Sequence, residues 1–208
     1  MSSLSIRRSF SLRRLAPALF AAVTALTLAS CGINSVPTAE EETKAKWADV
    51  QAQYQRRSNL IGNLVATVKG AAKQEQDTLV RVTEARAKAT SVQVSAEDLS
   101  DPAKVAQFQA AQGALSQSLG RLLANVEAYP DLKSNQNFLE LQSQLEGTEN
   151  RIAVSIRDYN GAVQAYNTRI RTFPDAIGAK LIHGAKPMTP YQATTPGAEE
   201  APKVDFGS

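Results

Sequence analysis

Residues 135–173 read NQNFLELQSQLEGTENRIAVSIRDYNGAVQAYNTRIRTF, and this stretch decides the fold. Its large apolar side chains recur every seven residues, at Phe138, Leu145, Ile152, Tyr159, Tyr166 and Phe173. This spacing keeps side chains in one line along an α-helix, which has about 3.6 residues per turn. Ser134 or Asn135 can cap the helix start, and Pro174 ends it. The stretch therefore predicts one long helix that must bury a continuous apolar stripe.

A long proline-free stretch upstream predicts another helix. It is rich in Ala, Lys, Gln, Glu and Arg, which are good helix formers. Apolar residues again recur every seven residues, in a line from Trp47 to Ala89 in which only Glu75 is charged. This pattern predicts a first helix of about 50 residues, roughly 75 Å long. Gly62 and Gly70 predict bending or weakness within it, not its end.

A second helix is predicted between these two. Asp101 supplies an N-cap and Pro102 a first helical residue. Apolar residues then repeat at intervals of three and four from Val105 to Val126, and Pro130 ends the pattern. This helix has about 26 residues and spans roughly 40 Å. Because the first helix is nearly twice as long, part of it must overhang or find another partner.

Together these patterns predict an all-α fold, an antiparallel up-and-down bundle of three long helices at residues 40–184. Ile177, Leu181 and Ile182 predict a short C-terminal helical element that covers part of the first helix. Residues 185–208 are rich in proline, which predicts an extended or disordered tail.

The N-terminal region has the pattern of an export signal. Four arginines and no acid precede an apolar run at residues 15–29, which has the length of a secretory h-region. Residues 26–34 read LTLASCGIN and contain the only cysteine, Cys31. Leu-Ala-Ser-Cys resembles a bacterial lipobox, which predicts a signal peptide at residues 1–30, a lipid-modified Cys31 and a tether at residues 31–39. A single uncleaved transmembrane anchor is the alternative.

The charge balance argues against nucleic acid as a partner. The chain holds 23 lysines and arginines against 20 acids, and four of those arginines precede Cys31. The part that follows the predicted signal is therefore close to neutral, and it lacks the basic surface that nucleic-acid binding requires.

Three segments resemble the LemA family. They are WADVQAQYQRRSNLIGNLVATVKGAAKQEQDTL in the first helix, EAYPDLKSNQNFLELQSQLEGTENRIAVSIRDYNGAVQAYNTRIRTFPDAIGA across the third, and APKVDF near the end. The resemblance implies a membrane-tethered helical bundle on the extracytoplasmic side, without a settled biochemical activity. Members usually carry proline in the place of Gly62, and many have a transmembrane anchor where this chain has Cys31.

Polar residues within these segments are the candidate site residues. They are Arg56, Arg57, Asn63, Glu149, Asn150, Arg157, Asn160 and Asn167. Glu149 lies between the apolar positions Leu145 and Ile152 and can therefore flank the core. We hypothesise that Arg57 or Arg56 meets Glu149 across the bundle and sets the helix register. The alternative is two independent solvated faces.

No set of nucleophile, base and orienting residue is evident, and His183 is the only histidine. We therefore expect no enzyme activity, cofactor or metal. The predicted function is a membrane-anchored scaffold that faces the periplasm or exterior and binds other envelope proteins. The alternative is a carrier for a lipid or another apolar molecule, lined by Tyr54, Tyr159, Tyr166 and Phe173.

Overall fold

The computed structural model describes the backbone of residues 12–71, 76–126 and 128–192, and within these ranges the side chains from Asn34 onward, Ala71 excepted. Four long helices make up this part of the chain: α1 (Leu12–Ala71), α2 (Gln76–Ser91), α3 (Pro102–Val126) and, after the short helix α4 (Pro130–Lys133), α5 (Gln136–Arg169). No strand occurs in the described ranges. The fold is an all-α helical bundle, as predicted.

The prediction of one helix from Trp47 to Ala89 is wrong. Helix α1 ends at Ala71, directly after Gly70, which was expected to weaken the helix and not to end it. The chain has reversed direction when α2 begins at Gln76. The Arg86 side chain donates from Nε to the carbonyl of Ser58 at 2.8 Å. Further along, Trp47 Nε1 donates to the carbonyl of Val94 at 3.0 Å.

Helices α1 and α2 form a hairpin. The later residue Val94 contacts the earlier residue Trp47, and Arg86 contacts Ser58, so α2 packs antiparallel to α1. The seven-residue line continues across the reversal because both helices turn their apolar faces to the same core. Helix α2 thereby supplies the partner that the long first helix lacked. The four long helices run up, down, up and down.

The predicted helix starts are confirmed at two places. Asn135 Oδ1 accepts hydrogen bonds from the backbone N–H groups of Asn137 and Phe138 at 3.0 and 3.2 Å, and so caps α5. Asp101 Oδ1 accepts from the N–H of Ala103 at 2.9 Å and caps α3. The caps satisfy donors that have no partner within the first turn of a helix.

The core has two adjoining parts. In one, the Trp47 ring lies 5.4 Å from that of Phe108 and 5.1 Å from that of Tyr159, which joins α1 to α3 and α5. The other is mainly aliphatic and includes Leu64 of α1 and Leu122 of α3, together with Phe138 of α5. Aromatic pairs at such distances contribute about 0.5–1.5 kcal/mol beyond their buried area.

The bundle extends further at its N-terminal side than the predicted boundary at residue 40. The backbone of α1 is helical without a break through residues 31–39, the predicted tether. Val36 and Ala39 are buried in the same core cluster as Trp47. Residues 1–11 lie outside the described residues, and only the backbone is described around Cys31.

A short helical element follows α5 and packs on α1, as expected, but it does so through the buried Gly178 and Ala179. Ile177, Leu181 and Ile182, the residues from which the element was predicted, are exposed, so their predicted cover of the first helix is wrong. The element consists of α6 (Asp175–Gly178) and one π-helical turn (Ala179–His183), and Gly184 closes it with a left-handed backbone (φ 56°). Phe173 lies beyond the end of α5 and is exposed, so it is not part of the buried stripe that the spacing predicted. Among residues with described side chains, no helix is long and apolar enough to cross a membrane.

Candidate interaction site

A buried guanidinium joins the four long helices. Arg57 on α1 is only 2% exposed, and its Nη2 donates to the carbonyl and to Oε1 of Gln112 on α3 at 3.2 and 2.6 Å. Its Nη1 donates to Ser116 Oγ at 2.9 Å and to Glu149 Oε1 on α5 at 3.3 Å. Gln112 in turn donates from Nε2 to the carbonyl of Ala89 on α2 at 3.3 Å. We call this group of side chains the arginine node.

Of the two arginines considered in the sequence, Arg57 is the one that the structure brings to Glu149. The carboxylate is 46% exposed, so the pair reaches from the core to the surface of the bundle. Buried charge is costly unless hydrogen bonds satisfy it, and here two residues of α3, Gln112 and Ser116, accept three of the four hydrogen bonds. Within the described residues, Arg57 Nε has no hydrogen-bond partner.

A tyrosine pair continues the arginine node toward the C-terminal segment. The Arg57 guanidinium lies over the Tyr54 ring, 4.8 Å from its centroid, which is a cation–π distance. The Tyr54 and Tyr191 hydroxyls are 2.5 Å apart. Burial, and secondarily the neighbouring Tyr191, raises the pKa of the Tyr54 phenol. Both phenols therefore stay neutral at physiological pH, and their hydrogen bond links α1 to the C-terminal segment.

Two asparagines of α5 hold the C-terminal segment. Asn167 Nδ2 donates to the carbonyl of Met188 at 2.8 Å, and its Oδ1 accepts from the Met188 N–H at 2.9 Å. Asn160 repeats this pattern with Tyr191 at 2.8 and 2.7 Å. Each side-chain amide thus pairs with the backbone as a neighbouring strand would.

The spacing of these contacts explains their register. Asn160 and Asn167 lie seven residues apart on a helix, about 10 Å at 1.5 Å per residue. Met188 and Tyr191 lie three residues apart in an extended chain, also about 10 Å. The distances match, so both amides engage the backbone at once.

Other contacts complete the attachment of the segment. The Tyr159 hydroxyl donates to the carbonyl of Thr189 at 2.8 Å, and the Thr189 N–H donates to the carbonyl of Leu99 at 2.8 Å. Met188 and Tyr191 are buried. The predicted tail is therefore extended but packed on the bundle at residues 185–192, and residues 193–208 lie outside the described residues.

The remaining candidate residues do not join these contacts. Arg56, Asn63, Asn150 and Arg157 are exposed, and the Arg157 guanidinium approaches only the adjacent Asp158, at 3.4 Å. Gln112, Ser116 and Tyr191 belong to the site but were not predicted. Only Gln112 could have been recognised from the sequence, because a polar residue there lies on the apolar side of α3 between Phe108 and Leu115.

The four aromatic residues considered for a ligand cavity do not line a common cavity, although Tyr54 borders the cleft described below. Tyr54, Tyr159 and Tyr166 are buried against other side chains of the core, and Phe173 is 78% exposed. A cleft of about 360 Å³ does open between α1, α2 and α3, and its lining mixes polar side chains such as Gln51 and Gln112 with apolar ones. Among the described residues, no group of three His, Cys, Asp or Glu residues is arranged to hold a metal ion.

Comparison with known proteins identifies the family. Residues 46–206 match the sequence profile of the LemA family. The chain belongs to the LemA family. The match includes both asparagines, the arginine node and the docked C-terminal segment, so the features described above lie within the family's region.

Similar proteins include both LemA and MamQ proteins. Magnetosome protein MamQ 2 of Paramagnetospirillum magneticum is 29% identical over 157 residues, which cover 68% of this chain and 58% of that protein. Magnetosome protein MamQ of Magnetospirillum gryphiswaldense is 26% identical over 176 residues, covering 77% and 65%. Protein LemA of Metamycoplasma hominis is 28% identical over 134 residues, covering 64% and 57%. The chain thus spans less than two thirds of each relative's length.

The arginine node predicts a clear difference between two adjacent arginines. Replacing Arg57 by Met leaves buried acceptors of Gln112 unpaired and should lower the free energy of unfolding by about 3 kcal/mol. Glu149→Gln should cost less than about 1 kcal/mol because the carboxylate is half exposed. The matched control, Arg56→Met, should change stability by no more than about 0.5 kcal/mol. Urea denaturation measures all three, and equal losses for the two arginines would contradict the buried position of Arg57.

The asparagine contacts predict that removing either side chain loosens the attachment of the C-terminal segment to the bundle. Asn160→Ala removes two hydrogen bonds of about 1 kcal/mol each, so chymotryptic cleavage after Tyr191 should accelerate on the order of tenfold or more. Asn167→Ala should act in the same direction. Asn150→Ala, an exposed asparagine of the same helix, serves as control. Unchanged cleavage in the Asn160 and Asn167 variants would show that other contacts hold the segment.

Proposed function

We propose that this LemA-family chain is a non-enzymatic, membrane-anchored scaffold that faces the periplasm or exterior and binds other envelope proteins. One observation carries the proposal: the unusual polar side chains inside the bundle are used to fasten helices and the C-terminal segment to one another. Arg57 is occupied by Gln112, Ser116 and Glu149, and both asparagines by backbone. These groups serve architecture and are not arranged around a substrate.

The anchor is proposed at the N-terminus. Helix α1 is continuous from Leu12 into the core, so Cys31 and the apolar stretch at residues 15–29 both lie on the helix that leads into the bundle. The lipobox-like context of Cys31 favours acylation there, and each buried CH₂ of an acyl chain adds about 0.8 kcal/mol of membrane affinity. Similarity to LemA and MamQ proteins supports association with a membrane.

The surface offered to partners is proposed to be the outward side of α5. Asn150 and Arg157 are exposed there, and the Arg157 side chain is 76% accessible. They belong to a helix that is rigidly held by α1 on its other side, so they are presented in fixed positions. A rigid polar helix face lowers the entropy cost of association.

The anchor is tested by replacing Cys31 with Ser in the full chain. The unaltered chain should incorporate labelled palmitate and appear in the membrane fraction, whereas Cys31→Ser should lose the label and retain its leader. Asn150→Ala, which leaves the lipobox intact, should be labelled normally. Continued labelling of Cys31→Ser would contradict the assignment, and an unlabelled but carbonate-resistant parent chain would support the transmembrane alternative.

The scaffold role is tested by photocrosslinking in cells. A benzophenone amino acid at Arg157 should give discrete adducts with envelope proteins, because this side chain faces outward on α5. The same substitution at Gln117, an exposed position on α3, is the control. Absence of adducts at Arg157, or identical adducts at both positions, would contradict a specific partner surface there.

A further inference from the structure

One end of the bundle carries a concentrated apolar surface. Of the seven large hydrophobic side chains that are exposed among the described residues, four lie within residues 173–182. They are Phe173 (78% exposed), Ile177 (54%), Leu181 (78%) and Ile182 (60%). We call this surface the apolar patch. The other three, on α2 and α5, are scattered singly, which is ordinary for a protein surface.

Basic side chains surround the apolar patch. Residues 169–186 include four lysines and arginines and a single acid, Asp175. Asp175 is already engaged, since its Oδ2 lies 3.7 Å from Arg169 Nε. Arg171, Lys180 and Lys186 are exposed and form no ion pair with any described residue. Lys186 also lines a cleft with Glu40 and Glu97, whereas no acid is recorded beside Arg171 or Lys180 among the described residues. An apolar surface flanked by exposed cations is the composition that anionic lipid surfaces attract.

The apolar patch lies at the end of the bundle from which α1 leads toward its apolar stretch. Ala179, in the π-helical turn of this element, packs in the same core cluster as Val36. Arg169 Nη1 donates to the carbonyl of Ser35 at 3.1 Å. Ala29, the last residue of the apolar stretch, precedes Val36 by seven residues, about 10 Å along the helix, and Cys31 is nearer still.

We propose that the apolar patch is a second membrane contact, which enters the interface of an anionic bilayer and sets the orientation of the bundle. The inference rests on the proposed N-terminal anchor, and it holds for a lipid on Cys31 or for a transmembrane segment. Either anchor brings this end of the bundle to the headgroups. Leu181 and Phe173 then bury their side chains at the boundary of the acyl chains, while Arg171, Lys180 and Lys186 meet lipid phosphates.

The test uses the full chain in vesicles of phosphatidylglycerol and phosphatidylcholine, with bromine on the phosphatidylcholine acyl chains as a quencher. Leu181→Trp places a reporter in the apolar patch. Leu139→Trp is the matched control, because this exposed leucine lies on α5 about 45 Å from Arg169. The native Trp47 is buried in every variant and contributes a common background. Cosedimentation with the vesicles reports anchoring separately.

Most of the emission added by Leu181→Trp should be lost in brominated vesicles, whereas that of Leu139→Trp should be retained. Replacing both Lys180 and Lys186 by Gln should weaken the quenching at position 181. Cosedimentation without quenching at 181 would overturn this inference and leave the anchor standing. Quenching at both positions would also overturn it.

A blue-shifted but unquenched signal at position 181 would mean that protein, such as a second copy, covers the apolar patch, and would overturn the inference too. Failure to cosediment would contradict the proposed anchor itself. The two proposals therefore fail in distinguishable ways.

Discussion

The buried Arg57 guanidinium is the constraint around which the bundle is arranged. It is removed from solvent, so its charge must be satisfied by groups that only the correct helix register provides. Gln112 and Ser116 on α3 and Glu149 on α5 are those groups, and Gln112 also reaches the backbone of α2. Two helices whose apolar residues repeat every seven positions can shift along each other by seven residues and still pack. Such a shift would separate Arg57 from its hydrogen-bond acceptors, so the arginine node does not tolerate it. The polar contact therefore supplies specificity that the apolar faces lack.

The same constraint extends to a segment that has no apolar stripe of its own. Tyr54 contacts the Arg57 guanidinium on one side and the Tyr191 hydroxyl on the other. The extended chain at residues 185–192 is held by this contact, by two asparagine side chains and by the backbone of Thr189, and it buries only Met188 and Tyr191 among its large side chains. Such a segment opens more readily than the helices do. Release of the C-terminal segment would uncover Tyr159 and the polar end of Tyr54 without disturbing the helices.

The sequence predicted the helical faces well and the chain reversal poorly, for one physical reason. Periodicity reports which side of a helix is buried, and α1 and α2 bury the same side. Two local marks of the break were present: Gly70, next to the last residue of α1, and Glu75, the one charged member of the line from Trp47, which falls between the two helices in the sequence. The docking of residues 185–192 could not be predicted from the sequence either. Its partners are Asn160 and Asn167, and their seven-residue spacing has a meaning only when an extended chain lies beside the helix.

Gly62 makes room for a tertiary contact between α1 and α2. The LemA resemblance implies proline at this position in other members. Proline has no backbone N–H, so the helical hydrogen bond from residue 62 to the carbonyl of Ser58 would be lost. Arg86 Nε donates to that same Ser58 carbonyl at 2.8 Å, and a Cβ at Gly62 would lie 3.1 Å from Arg86 Cζ. The absence of a Cβ at Gly62 thus leaves the space that the guanidinium occupies, and any larger residue there would force Arg86 to shift. Arg86 ties α2 to the middle of α1, so the hairpin does not depend on a proline bend.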